Sequence, residues 1–288
     1  MLLLRCSRLF RSPGKTDWQQ SRWTGLLPVF CLFWAGILPS FRAHGTEVEF
    51  RAFVQAEYRF KDDLTAWTHT AKLISSILGK KFSHAVEPQV LVDQPPGALV
   101  KLLQAPEKSS SAFQILYFGS HVRSDGKILF CDGTKEIPSM ATREVSIDGS
   151  RWNPDLVIVD TCHAVTFAYD SEWIRKFPAH YLFASDTNEL ALEIDFRHRQ
   201  PVLFMERYPD SYQLLTNSLG EAWDGTISDL GFRLGKLVAS EKSFASPLAL
   251  FERLSASPRE EGIPSRRFRQ SHLVWRTPET VRQIAGGN

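Results

Sequence analysis

With 288 residues, 43% of them apolar, 8 Trp and 20 Phe, the chain has material for a sizeable core, which excludes a disordered protein. Charged residues make up 23% and the formal net charge is +2, so no strong field points to nucleic acid or an acidic surface. Four cysteines are too few for a disulfide scaffold, and no collagen-like, heptad or solenoid period occurs.

The first 45 residues read as a leader. Arg5, Arg8, Arg11, Lys15 and Arg22 stand against Asp17 alone, and the apolar run Leu26–Leu38 follows. Its 13 residues are short for a membrane-spanning helix but suit a signal-peptide core. Ala43-His44-Gly45 offers small residues for cleavage after Gly45. An uncleaved membrane anchor and a start codon placed upstream of the true leader are the alternatives. Export, periplasmic or secreted, is the expected localisation, with membrane attachment if the segment stays. Without the leader the chain has 28 basic and 31 acidic residues, so its basic character belongs to the leader. Cys131 and Cys162 are the two cysteines that remain.

From Val48 the chain reads as strands alternating with helices, the signature of an α/β sheet covered by helices. Val48–Val54 alternates apolar and polar residues as a strand does. Asp62-Asp63 can cap a helix in which Leu64, Trp67, Ala71, Ile74 and Leu78 share a face and which Gly79 ends. Val90–Val92 is a short strand, and Pro95-Pro96 opens a helix through Leu103. Phe113–Phe118 and Leu156–Val159 are nearly continuous apolar runs, suited to the centre of a parallel sheet. Lys127–Phe130 between them is expected in a hairpin whose turns are marked by Gly126 and Gly133. A helix is expected from Ala164 to Lys176, a strand at His180–Ala184, a further element from Val202 to Met205, and helices at Leu214–Trp223 and Ile227–Ala239. One domain spans 46–254. A tail follows from 255 to 288, partly loop, in which Leu273–Trp275 is a possible last strand and Arg266–Arg269 a solvated basic cluster.

Both apolar runs end in reactive residues: Ile115-Leu-Tyr-Phe-Gly-Ser-His121 and Leu156-Val-Ile-Val-Asp-Thr-Cys162-His163. Ligands in such sheets bind beyond the carboxyl ends of the strands. If the two strands are neighbours, His121 and Cys162 emerge together, as nucleophilic catalysis requires of a thiol and its imidazole. A helix opened by Cys162 would favour the thiolate, and backbone N–H groups of Cys162 and Val122 would hold an oxyanion. The plain alternatives are a buried structural Cys, a structural His and a Cys131–Cys162 disulfide. His163 is read as structural, since adjacent side chains diverge. No paired metal-ligand spacing and no phosphate-binding Gly-rich loop is present, so no metal or cofactor is expected, and nucleic-acid binding is not expected either.

These segments resemble the caspase-like cysteine peptidases, the superfamily of caspases, metacaspases, paracaspases and legumains. Tyr117-Phe-Gly-Ser-His-Val122 stands where that family carries a Ser-Gly-His-Gly-like turn with the catalytic base, and Asp160-Thr-Cys-His-Ala-Val165 where metacaspases carry Asp-Ser-Cys-His-Ser-Gly. The hairpin around Ile128 and the segment Phe183–Ala191 look like the family's as well, so the resemblance covers roughly residues 48–240. It implies a single caspase-like α/β sandwich, mostly parallel, with helices on both faces, acting as a cysteine endopeptidase on peptide or protein substrates. His121 would be the base and Cys162 the nucleophile. Asp160, aided by Asp125, would bind Arg or Lys at the cleaved bond; the alternative for Asp160 is a charge at a helix N-terminus. Val122 and Val165 replace glycines of the pattern, and the Gln-Ala-Cys signature of true caspases is absent. A catalytically inactive caspase-like binding or scaffold module is therefore the alternative function.

Overall fold

The apolar runs do become the centre of a sheet. A computed structural model describes residues 47–57, 65–106, 109–125, 127–131, 136–141, 152–170, 172–187, 189–191, 193–195, 206–220, 223–257 and 272–286. The leader, Asp62-Asp63, the turn glycines Gly126 and Gly133, Val202–Met205 and Arg266–Arg269 lie outside them. In chain order the elements are β1 (Val48–Val54), α1 (Thr65–Lys81), β2 (Gln89–Val92), α2 (Pro96–Gln104) and β3 (Phe113–Ser120). Then come β4 (Lys127–Cys131), β5 (Glu136–Ala141), β6 (Leu156–Thr161), α3 (Ala164–Asp170), α4 (Glu172–Lys176), β7 (His180–Phe183) and β8 (Glu193–Asp195). Last are α5 (Pro209–Leu219), β9 (Thr226–Ser228), α6 (Asp229–Ser240), α7 (Pro247–Ser255), β10 (Val274–Arg276) and α8 (Pro278–Gly286).

Six strands form the main sheet in the order β10-β7-β6-β3-β1-β2. All neighbours are parallel except β10, which runs antiparallel to β7 at one edge. Two antiparallel pairs, β4–β5 and β8–β9, stand beside it. The fold is thus α/β with a mostly parallel sheet and helices on both faces. One face carries α1, α5, α6 and α7, whose Leu73, Leu215, Leu234 and Phe251 pack on Phe50, Tyr117 and Ile158. The other carries α2, α3, α4 and α8, whose Leu103, Phe167, Trp173 and Val281 pack on Phe53, Phe118 and Val159. Among the described residues, no helix is long and apolar enough to cross a membrane.

Several expectations need physical correction. The alternation in β1 reflects no solvated face, because every residue of that strand is buried. Its polar positions are used inside: Arg51 donates to Glu49 Oε1 at 2.7 Å and to the carbonyls of Leu102, Ala105 and Pro106 at the end of α2, and lies 4.2 Å from the Trp152 ring. Gly79 does not end α1, which runs to Lys81, because packing of its apolar face outweighs one weak helix former. The expected helix Ala164–Lys176 is two short ones, α3 and α4. Ile227 is in β9, and α6 begins after it, capped by the Ser228 hydroxyl accepting from Gly231 N at 3.2 Å. The C-terminal segment contributes an edge strand, one residue later than expected, and the helix α8.

Candidate functional site

β3 and β6 are direct neighbours in the sheet. Their register pairs Gly119 with Asp160 and Ser120 with Thr161. The next residues on each strand are His121 and Cys162. Neighbouring strands lie about 4.8 Å apart, so the two backbones leave the sheet side by side at its carboxyl edge. Cys162 is a half-buried thiol, not in a disulfide, and packs against the face covered by α1 and α6. Its Sγ lies 3.9 Å from the Ala191 carbonyl oxygen. Strand alternation assigns His121 to that same face, since Ile115 and Tyr117 belong to it.

Cys162 does not open the following helix. α3 begins at Ala164 and has seven residues, and its first N–H is taken by Ser185 Oγ at 3.0 Å. Little helix dipole is left to act on the thiol. The turn between strand and helix is made by His163, whose φ of 53° is left-handed, a conformation that His tolerates better than most residues. His163 N–H donates to Glu189 O at 2.8 Å, and its ring Nδ1 lies 3.1 Å from Thr187 O. The ring is thus engaged by the loop after β7.

Val122 forms a bridge with Ile128 of β4. The hairpin bonds around it run from Leu129 N to His121 O at 2.9 Å and from Arg123 N to Lys127 O at 3.0 Å. Val122 is therefore at a non-hydrogen-bonded position, and its N–H points away from β4. The side chains of Val122 and Val165 are 5% and 2% exposed and pack in the cluster on the opposite face from Cys162. Val122 and Val165 therefore put no bulk on the thiol side of the sheet.

Asp160 lies on the thiol's face, 1% exposed, and does not cap α3. Its Oδ2 accepts from Ser228 Oγ at 2.7 Å and Tyr117 OH at 2.9 Å, while Oδ1 has no hydrogen-bond partner. Burial pushes its carboxyl up to about 7, against the hydroxyl bonds from Ser228 and Tyr117 that pull it down. Burial and then the Asp160 charge raise the Tyr117 phenol well above its ordinary value. The polar chain continues from Ser228 Oγ to Thr70 Oγ1 at 2.8 Å and from there to Ala66 O at 2.9 Å. Close packing places this chain under the strand ends. A Cβ on Gly119 would come within 2.8 Å of Trp67 Cδ1, so only glycine lets that ring, whose Nε1 donates to Asp160 O, lie against β3.

Asp125 is not brought to Asp160 by any contact of this kind. It is exposed on the hairpin turn, where it accepts from Lys127 N at 3.3 Å and lies 3.5 Å from Arg123 Nε. The part that Tyr117, Ser228, Thr70 and Trp67 play around Asp160 is not read from the sequence. Tyr117 is hidden in an apolar run; the signal for Ser228 was Ser-Asp ahead of an apolar helix, a cap. Among the described residues, no group of three His, Cys, Asp or Glu could hold a metal ion.

No family model matches the chain, and no curated protein matches it. Among solved structures the chain is similar to Raptor of Chaetomium thermophilum, at 10% identity and a TM-score of 0.38. The match covers 59% of this chain and 18% of that one.

Proposed function

We infer that the protein is a caspase-like cysteine endopeptidase working through Cys162 and His121. The observation that carries this reading is the β3–β6 register, which ends at Ser120 and Thr161, so that an imidazole-bearing residue and a half-buried thiol are the next residues of two central parallel strands. In the reaction His121 takes the Cys162 proton, and the thiolate attacks the scissile carbonyl carbon. The oxyanion formed is held by N–H groups of Cys162 and Val122, and the outward direction of the Val122 N–H supports its part. As the C–N bond breaks, His121 returns the proton to the leaving amine, leaving a thioester. Water, deprotonated by His121, then hydrolyses the thioester and restores the thiol.

Cleavage after Arg or Lys is the proposed specificity, and it requires a substrate that opens the cover over Asp160, which is buried against Tyr117 and Ser228. A guanidinium or ammonium would then stabilise the charged carboxylate and supply the donor that Oδ1 lacks. Asp125 would act on the substrate from the hairpin rim. The leader's composition supports action outside the cytoplasm after cleavage; N-terminal sequencing of exported protein is expected to begin at Thr46, and an intact Met1 would overturn this.

The test is turnover of a basic-P1 peptide library by the reduced mature protein beside Cys162→Ala. Turnover in the first and none in the second is expected; equal turnover rejects the assignment. A peptide-directed electrophile that labels Cys162 no better than Cys131 would favour a non-catalytic caspase-like module.

A further inference from the structure

The turn that presents Cys162 carries bonds beyond those of its own strand and helix. These go to the loop after β7: His163 N–H to Glu189 O at 2.8 Å, Ala164 N–H to Ser185 Oγ at 3.0 Å, and Thr166 Oγ1 to Thr187 O at 3.0 Å. Ser185 also donates to Thr161 O at 2.8 Å, so the loop grips the turn from both sides of the cysteine. The loop is in turn held from outside. His272 N–H donates to Glu189 Oε2 at 2.7 Å, and His272 Nδ1 lies 2.5 Å from Oε1. Antiparallel pairing makes this contact possible, because Val274 pairs with Phe183 and brings the start of β10 beside the end of β7. A parallel last strand would bring its carboxyl end there instead.

We propose that Glu189 is a positioning residue for Cys162, clamped by His272, so that the C-terminal segment holds the nucleophile turn in its left-handed shape. The proposal deepens the peptidase reading and rests on it for what the thiol does. The carboxylate suits the task. Partial burial works against its charge, but the hydrogen bonds from His272 and Asp186 hold it below the usual carboxylate range. Thus the link from tail to turn is a charge-assisted pair of bonds at one end and a backbone bond at the other. Loss of either end frees His163 from the geometry that aims Cys162.

The experiment uses the full chain, Glu189→Ala, His272→Ala, their double variant and Glu189→Gln. One readout is the rate of Cys162 alkylation by iodoacetamide from pH 5 to 9, read on the Cys162 peptide; the other is amide hydrogen exchange at His163. Each alanine variant is expected to shift the pH profile, slow alkylation at neutral pH and speed His163 exchange, each by a factor of about 2–10, the size of one lost hydrogen bond. The double variant is expected to equal the worse single one, because the two contacts act in series. Glu189→Gln is expected to restore most of both, its amide oxygen accepting from His272 N–H and its NH₂ donating to Nδ1. Unchanged profiles and exchange in both alanine variants would overturn the proposal. A wild-type Cys162 that reacts like an ordinary thiol at every pH would instead sink the peptidase reading; His163 exchange would then decide the clamp alone, acceleration keeping it and no change removing it.

Discussion

Both faces of the main sheet are packed with apolar side chains, but they differ near the carboxyl ends of β3 and β6. On the face of α2, α3, α4 and α8, Phe118 stacks on Phe167 at 5.2 Å, and Trp173 meets both edge-on at 5.3 and 5.4 Å. Such pairs add about 0.5–1.5 kcal/mol each beyond the area they bury. On the other face, below Cys162, a chain of hydroxyls and one carboxylate runs through Tyr117, Asp160, Ser228 and Thr70. Buried polar groups of this kind add little net stability when paired and cost stability when a partner is lost. Apolar packing on both faces holds the strands, whereas the polar chain is confined to one face, under the strand ends from which His121 and Cys162 follow.

Substitutions on the two faces put that difference to the test. The largest effect is expected at the thiol itself: Cys162→Ala should remove turnover by more than about 1000-fold while leaving the urea midpoint nearly unchanged. A comparable loss of stability in that variant would show the cysteine to be core and not site. Next, Phe118→Ala should cost about 3–5 kcal/mol in urea unfolding, with the Cys162 alkylation rate of the folded fraction unaltered. An altered rate would mean that the two faces are coupled.

Asp160 gives a pH signature. Its carboxyl titrates near 7 when folded and near 4 when unfolded, so the folded state holds a proton that the unfolded state has released. The stability from this group is complete below about pH 4 and is lost as pH rises through about 7, a change of a few kcal/mol. Asp160→Asn should flatten that part of the stability–pH curve; an unchanged slope between pH 4.5 and 7.5 would assign the dependence elsewhere. Adding a methyl at Gly119 should displace Trp67, lowering the melting temperature and shifting tryptophan fluorescence, since the new Cβ would meet Cδ1 at 2.8 Å. The smallest effect is expected from Tyr117→Phe, about 1 kcal/mol, since Asp160 keeps the Ser228 hydroxyl.

Much of the fold was legible in the chain. Phe113–Phe118, apart from Gln114, and Leu156–Val159 carry consecutive apolar residues, as strands covered on both faces do. The pair Pro95-Pro96 announced α2, because proline suits the first turn of a helix. Other signals misled because local preference competes with packing that the sequence order does not display. Gly79 is a helix breaker in isolation but lies in a helix fastened by Leu73, Ile74, Ile77 and Leu78. Glu49 and Arg51 look solvent-facing by period, yet they satisfy each other and the end of α2 inside the core.

For the site the division is similar. Which residues can do chemistry, and that both stand at the ends of buried strands, is readable along the chain, since residue type and hydrophobic run length are local properties. The folded arrangement makes β3 and β6 neighbours, because strand order depends on crossovers and not on order along the chain. It also decided that Val122 and Val165 face away from the thiol, that Asp160 is sealed against Tyr117 and Ser228, and that His272, 110 residues after Cys162, reaches the loop gripping its turn. Those contacts join residues far apart in the chain, and their free energy comes from desolvation and hydrogen-bond geometry that exist once the sheet has brought the pieces together.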